Sequence, residues 1–117
     1  MHSHWIETRI RYLTTQEGGR KSGVANGYRG QFYYDGEDCD GVQYFPDFAP
    51  DEIICLGHEF RVIVRFPQDR WDLFHQHRLC PGKPFQIREG SHVVGEGVVT
   101  HLDVPFEMRD QFSDWVR

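Results

Sequence analysis

Apolar and polar residues alternate along much of this chain, with the period of two that is typical of β-strands. Near the amino terminus, positions 6, 8, 10 and 12 hold Ile, Thr, Ile and Tyr, and the positions between them hold charged residues. This alternation predicts a strand with one buried face, and it recurs between Phe60 and Phe66. Shorter aromatic or β-branched runs predict further strands. The six expected strands cover residues 6–12, 30–34, 42–45, 60–66, 85–89 and 92–102.

Short turns connect several of these strands. Gly90-Ser91 separates the last two strands by only two residues, which predicts a hairpin. A second turn is expected at residues 35–38, whereas residues 67–82 are polar and show no helical pattern. Six strands with such connections favour a closed antiparallel β-barrel or a β-sandwich.

The carboxyl-terminal segment follows a helical period instead. Asp103 is a suitable N-cap, Pro105 suits a first turn, and apolar residues then recur at helical spacing. This apolar stripe consists of Met108, Phe112, Trp115 and Val116. We therefore expect residues 1–103 to form an all-β domain and residues 104–117 to add a short helix that packs on it through the stripe.

The composition is that of a folded protein, since 38% of the 117 residues are apolar and 15% are aromatic. The length corresponds to one domain. The longest apolar runs are only a few residues, so no membrane-spanning helix is expected, and the chain opens without a secretory signal pattern. The net charge is −5, and there is no basic run that would suit DNA or a membrane surface.

Acidic residues are concentrated in one segment. Residues 35–52 contain seven Asp or Glu and no Lys or Arg. Such a run is usually a solvated loop, and its charge disfavours a nucleic-acid partner. A basic protein would complement it, and the candidate contact residues for such a partner are Asp35, Glu37, Asp38 and Asp40.

Motifs for catalysis are missing from the sequence. There is no phosphate loop of the Gly-x4-Gly-Lys-Ser/Thr type, so GTP binding is not expected, and there is no Gly-x-Ser-x-Gly nucleophile elbow. His75, His77 and Cys80 form the best metal candidate, but they lack the second ligand pair of a zinc finger. The three cysteines are an odd number at wide spacing, which favours free thiols in a cytoplasmic protein. No cofactor and no bound metal are expected.

Three motifs follow one another along the chain. The first is Glu17-Gly18-Gly19-Arg20, and the second is Gly27-Tyr28-Arg29-Gly30-Gln31-Phe32-Tyr33-Tyr34. The third combines Ile87-Arg88-Glu89-Gly90 with Val94-Gly95-Glu96-Gly97-Val98-Val99. In order and spacing they resemble the C-terminal domain, domain 3, of bacterial elongation factor Tu, and the likeness covers about residues 6–102.

The resemblance implies a six-stranded antiparallel β-barrel. In elongation factor Tu this domain packs on domain 2, faces the GTPase domain and touches the T-stem of aminoacyl-tRNA. The positions that match its tRNA-contacting surface are Arg20, Gln31 and Glu89, with Lys21 and Gly90 beside them. Arg and Gln side chains suit phosphate and ribose contacts, which position an RNA without reading its sequence.

Several features depart from the family pattern. The sequence contains no counterpart of the GTPase domain or of domain 2, so GTP hydrolysis is not implied. Gly30 replaces a proline of the family, and Ser91-His92 replaces a Gly-Arg pair, with the loss of a fixed positive charge. The residues after the aromatic strand are acidic instead of basic or hydroxyl-bearing, and they would repel a phosphate backbone.

The expected function is that of a non-catalytic binding module, related to translation or directed at a protein. A protein partner is favoured, and any tRNA contact is expected to be weak. One alternative is an inhibitory protein-interaction module that acts through the acidic segment 35–52. A less favoured alternative is a metal-dependent enzyme at His75, His77 and Cys80.

Overall fold

A computed structural model describes residues 2–112, and within that range the chain forms one curved antiparallel sheet of seven strands. The strands are β1 Ser3–Tyr12, β2 Gln31–Tyr34, β3 Glu37–Cys39, β4 Val42–Tyr44, β5 Glu59–Pro67, β6 Pro84–Glu89 and β7 His92–His101. The α-helices are α1 Gln68–Leu73 and α2 Phe106–Asp110, and two 3-10 turns cover Thr15–Glu17 and His75–His77.

The order of the strands makes the sheet curl. The order is β3-β2-β6-β7-β1-β5-β4, so β3 and β4 lie at opposite ends of the sheet. These two strands are nevertheless joined by only Asp40 and Gly41. The connection therefore brings the two ends together, and the predicted β-barrel architecture is confirmed. The second side of β4 is bridged by Tyr28, which pairs with Gln43.

The apolar faces of the strands meet inside this curled sheet. Phe32 stacks on Phe85, with 4.1 Å between ring centroids, and its edge meets Phe66 at 5.1 Å. The alternating positions of β1 and β5 contribute Ile6, Ile10, Val62 and Val64, all fully buried. The period of two that defined these strands in the sequence thus identifies the face that they bury.

The six-strand prediction was wrong by one strand, because the turn after β2 is tighter than expected. Asp35 and Gly36 have φ of 51° and 80°, the left-handed conformation that a two-residue type I′ hairpin turn requires. The chain therefore reverses within two residues. Glu37–Cys39 then pairs with β2, with Cys39 opposite Phe32. Part of the acidic segment is an edge strand and not a loop.

Residues 67–82 also contain structure that the sequence pattern did not predict. Helix α1 buries Trp71, and the following 3-10 turn buries His75, whose ring lies 4.2 Å from that of Phe66. Two buried residues in two short turns are too few to produce a recognisable helical period. The rings of Trp71 and His75 pack against the core and hold the segment in place.

The carboxyl-terminal segment covers the outer face of the sheet. Val104 and Phe112 are buried in a second apolar cluster together with Val42, Tyr44 and Ile63, and Trp5 and Met108 pack at its margin. The predicted packing of the stripe is thus observed for Met108 and Phe112, while Trp115 and Val116 lie outside the described residues. The predicted cap was wrong, because α2 begins after Pro105 without a side-chain cap, and Asp103 lies 3.8 Å from His4.

Candidate binding surface

Arg20, Tyr28 and Glu89 meet at one point on the surface. Glu89 ends β6, and its Oε2 accepts a hydrogen bond from the Tyr28 hydroxyl at 2.5 Å. The Arg20 guanidinium forms an ion pair with the same oxygen and lies over the Tyr28 ring, 4.9 Å from its centroid. Gly90 follows directly in a turn with φ of 63°, a conformation that favours glycine. One carboxylate oxygen therefore holds both other side chains.

The loop that carries Arg20 is ordered by local hydrogen bonds. Thr14 caps the 3-10 turn and exchanges hydrogen bonds with Glu17 in a capping box. The Thr15 hydroxyl donates to the Arg20 carbonyl at 2.6 Å, and Arg20 Nε donates to the Ser22 carbonyl at 3.2 Å. His92, at the start of β7, contacts the Gly18 carbonyl. The loop is thus fastened to the β6–β7 hairpin, which presents Arg20 in one position.

Gln31 lies beside this cluster on β2. It is paired in register with Arg88, the residue before Glu89, and its side-chain carbonyl is buried without a hydrogen-bond donor among the described residues. Arg88 lies over the Tyr33 ring at 4.0 Å and is 3.8 Å from Asp38. The structure therefore brings Arg20, Glu89 and Gly90 together, places Gln31 opposite Arg88 on the neighbouring strand, and leaves Lys21 exposed on the loop that carries Arg20.

Tyr28 is the residue whose role in this cluster the sequence analysis missed. It stands 61 residues from Glu89 along the chain, and no local motif connects the two positions. Burial, reinforced by the Glu89 carboxylate, raises the pKa of Tyr28 well above its ordinary value, so its hydroxyl keeps the proton that it donates. The sequence offered one signal for this role, because Tyr28 stands next to Arg29 in a glycine-rich loop. The same signal fits a tyrosine that packs in the core, so it did not identify the role.

The electrostatic balance of the cluster is close to neutral. Partial burial raises the pKa of Glu89, but the hydrogen bond from Tyr28 and the charge of Arg20 outweigh it and hold the pKa below its usual range. Glu89 is therefore ionised at neutral pH and compensates the charge of Arg20. An RNA phosphate would have to compete with this carboxylate for the guanidinium.

The four predicted acidic contact residues divide into two pairs. Asp35 accepts from Lys83 at 2.8 Å, and Asp38 lies 3.8 Å from Arg88. Glu37 and Asp40 are exposed, and neither forms an ion pair with any residue in the range 2–112. The acidic segment is thus partly neutralised by the barrel, which corrects its interpretation as a solvated loop.

The candidate metal ligands do not form a site. His75 is fully buried, and its Nδ1 lies 2.6 Å from the Tyr34 hydroxyl, whereas His77 and Cys80 are exposed. Burial, together with the charges of Arg70 and Arg78, lowers the pKa of His75 to about 4. Among the residues that the structure describes, no group of three His, Cys, Asp or Glu side chains could hold a metal ion. The three cysteines are unpaired.

Two further findings bear on the class of protein. In the described part of the chain, no helix has the length and apolar character needed to cross a membrane. A family model described as the elongation factor Tu C-terminal domain matches residues 2–103, which is most of the chain. The match contains all of the strands and the whole candidate binding surface, and it ends one residue before the segment that covers the outer face of the sheet.

Proposed function

The chain belongs to the elongation factor Tu C-terminal domain family, and on that premise we propose that it is a translation-related, non-catalytic binding module whose main partner is a protein. The observation that carries the proposal is the arrangement of the β2–β3 hairpin. Its second strand is the edge of the sheet in the described residues, and its exposed acids Glu37 and Asp40 have no ion-pair partner there.

A free edge strand and unpaired acids suit a basic, extended protein segment. The outer side of β3 presents backbone donors and acceptors to which another strand can bond. Glu37 and Asp40 add charge complementarity, which favours association with a basic partner and disfavours an acidic one. A cytoplasmic setting fits this proposal, since the three thiols are unpaired and the family is that of a translation factor.

A contact with tRNA is the second candidate function. It is supported by the contact between Arg20 and Glu89, with Gly90 next to Glu89, Lys21 exposed next to Arg20, and Gln31 opposite Arg88 on the neighbouring strand. Because Glu89 already compensates Arg20, we expect the isolated chain to bind tRNA with a Kd weaker than about 10 μM at physiological salt, in the range of non-specific binding.

Affinity capture from native cell extract tests the two candidates together. The wild-type chain is compared with the double variant Glu37→Gln/Asp40→Asn, and bound protein and RNA are both measured. The control is Asp51→Asn/Glu52→Gln, which makes the same change of charge in the same segment. Asp35 and Asp38 are left unchanged, because their ion pairs with Lys83 and Arg88 hold the hairpin in place.

The proposal predicts that a protein partner is captured by the wild type and by the control but not by the hairpin variant. Equal capture by all three would contradict the assignment of the hairpin as the docking site. Non-specific binding to nucleic acid has Kd values in the micromolar range or weaker. A tRNA complex with a Kd below about 1 μM that is lost in Arg20→Ala and Gln31→Ala would therefore make the RNA contact the principal function.

A further inference from the structure

A small pocket with two arginines lies apart from the cluster of Arg20, Tyr28 and Glu89, and it borders the β2–β3 hairpin at Asp40. Its volume is about 280 Å³, and it is lined by Arg29, Asp40, Gly41, Val42, Arg65 and Pro67. It is formed where the end of β5 passes the start of β4 and the residues that precede β2. Arg20, Tyr28 and Glu89 do not line this pocket.

Arg65 is held in this pocket by aromatic rings. It stands opposite Trp5 of β1 and Val42 of β4 in the register of the sheet. Its guanidinium lies 5.8 Å from the centroid of the Trp5 ring and 6.0 Å from that of Tyr44, and its Nη2 donates to the Tyr44 hydroxyl at 3.4 Å. These contacts fix the position of the charge and supply no negative charge to balance it.

Arg65 has no acidic partner among residues 2–112, a property that it shares there with Arg29, Arg70, Arg78 and Arg109. Its Nε is buried and has no hydrogen-bond acceptor, and no carboxylate of residues 2–112 lies within ion-pair distance of Arg65 or Arg29. Other arginines of the chain are paired with a carboxylate, namely Arg9, Arg11, Arg20, Arg61 and Arg88. A partly buried cation without a counter-ion is unfavourable, and it attracts an external anion.

We propose that this pocket binds a single oxyanion group, a phosphate or a carboxylate, between the guanidinium groups of Arg65 and Arg29. Guanidinium groups match the planar oxygens of such groups in charge and geometry. The volume lies at the lower limit of small-molecule sites, which suits one anionic group and not a whole nucleotide. Asp40 lines the same pocket and repels an anion, so it limits the affinity.

The test is an anion titration of the full, ¹⁵N-labelled chain, monitored by the backbone amide chemical shifts in NMR spectra. Sodium phosphate and sodium acetate are added in separate series at constant ionic strength, with sodium chloride as the balancing salt. We expect saturable shifts at the backbone amides of Arg29, Gly41 and Arg65, with a Kd of about 1–10 mM, as a few charge-assisted hydrogen bonds would give. Saturation by phosphate alone assigns the site to phosphoryl groups, and saturation by both assigns it to oxyanions in general.

Variants separate a built site from general anion effects. Arg29→Ala removes an exposed side chain and should weaken binding at least about fivefold without loss of the folded spectrum, while Asp40→Asn should tighten it about threefold. Arg78→Ala, an exposed arginine outside the pocket, is the matched control and should leave the Kd unchanged. Linear shifts without saturation, or the same Kd in Arg29→Ala and Arg78→Ala, would overturn the proposal.

Discussion

Glu89 Oε2 accepts from the Tyr28 hydroxyl and from the Arg20 guanidinium, and these two residues stand 61 and 69 positions away along the chain. At the scale of single residues, one carboxylate therefore links the Arg20 loop, the approach to β2 and the β6–β7 hairpin. The side chain of Glu89 is partly exposed, so solvent weakens the ion pair.

The Glu89→Gln variant should lower the free energy of unfolding by about 0.5–1 kcal/mol, because it replaces a partly exposed charged acceptor by a neutral one. The loss should vanish at low pH. The Glu89 pKa is depressed in the folded state, so its contribution is present above the unfolded value of 4.5 and disappears as pH falls through the lower folded value. Urea denaturation at pH 7 and pH 3 measures both. Glu96→Gln, an exposed glutamate on β7, is the control and should change little.

His75 should make the free energy of unfolding depend on pH between about 4 and 6.5. Its folded pKa of about 4 lies below the ordinary value of 6.5, so between these values the unfolded chain binds a proton that the folded chain does not. Stability should therefore fall as pH is lowered from 6.5 to 4 and level off below 4. In His75→Gln, which keeps an acceptor for Tyr34, this part of the slope should be absent. Identical slopes in denaturation series of the two proteins would show that His75 titrates normally.

At the scale of elements, the segment after β7 completes the outer face of the sheet. Phe112 is fully buried and stacks with Trp5 and Tyr44, at centroid distances of 5.8 and 5.1 Å. Without it, Trp5, Tyr44 and Ile63 would leave an apolar patch of the kind that monomeric proteins avoid. Helix α2 has only five residues, so its position depends on this packing and not on helix propensity.

Phe112→Ala should therefore destabilise the chain by about 3–5 kcal/mol, the usual cost of truncating a buried aromatic side chain. Phe106 provides a matched control, because it lies in α2 and is 65% exposed. Phe106→Ala should change the unfolding free energy by less than about 0.5 kcal/mol, as is typical of a surface site. Equal effects of the two variants in chemical denaturation would mean that α2 does not pack as described.

The apolar stripe in the sequence also predicts that Trp115→Ala lowers the free energy of unfolding by about 2–4 kcal/mol. This stays a prediction, because Trp115 lies outside the described residues.

At the scale of the whole molecule, the barrel distributes its charges so that the acidic segment is partly neutralised. Asp35, Asp38 and Asp47 meet Lys83, Arg88 and Arg61, which come from distant parts of the chain. The acidic residues that these ion pairs leave without a basic partner therefore carry the excess negative charge of the chain, whose net charge is −5. This arrangement is consistent with the proposal that the partner is a basic protein.

The chain should bind neither GTP nor GDP with a Kd below about 100 μM, which is weak on the usual scale of specific binding. The sequence contains no phosphate loop, the pocket with Arg29 and Arg65 holds only about 280 Å³, and a larger pocket of about 610 Å³ sets Glu59 and Glu96 beside Arg9 and Arg11. Isothermal titration calorimetry with each nucleotide checks this, with inorganic phosphate as a control for occupancy of the pocket alone. Nucleotide binding tighter than this limit would contradict the prediction.

The sequence by itself determined the class of fold and proposed residues for a binding surface, without the role of Tyr28. The alternation in β1 and at Phe60, Val62, Val64 and Phe66 of β5 specified the face that points into the core, because side chains of a strand alternate by geometry. The spacing of the glycine-rich motifs brought Arg20, Gln31 and Glu89 into one hypothesis, and the family match confirmed the resemblance on which it rested. Alternation and the order of motifs are properties of the sequence itself, so they can be read without the structure.

The tertiary structure decided everything that depends on residues far apart in the chain. Whether residues 35–40 form a loop or a strand depended on pairing between Cys39 and Phe32, and whether His75 is a ligand or a core residue depended on Phe66 and Tyr34. The ion pair of Arg20 with Glu89, and the absence of a carboxylate partner for Arg65 among residues 2–112, depend on how the loops and strands pack in space. Charge pairing and burial are set by neighbours in space, and a sequence pattern lists only neighbours along the chain.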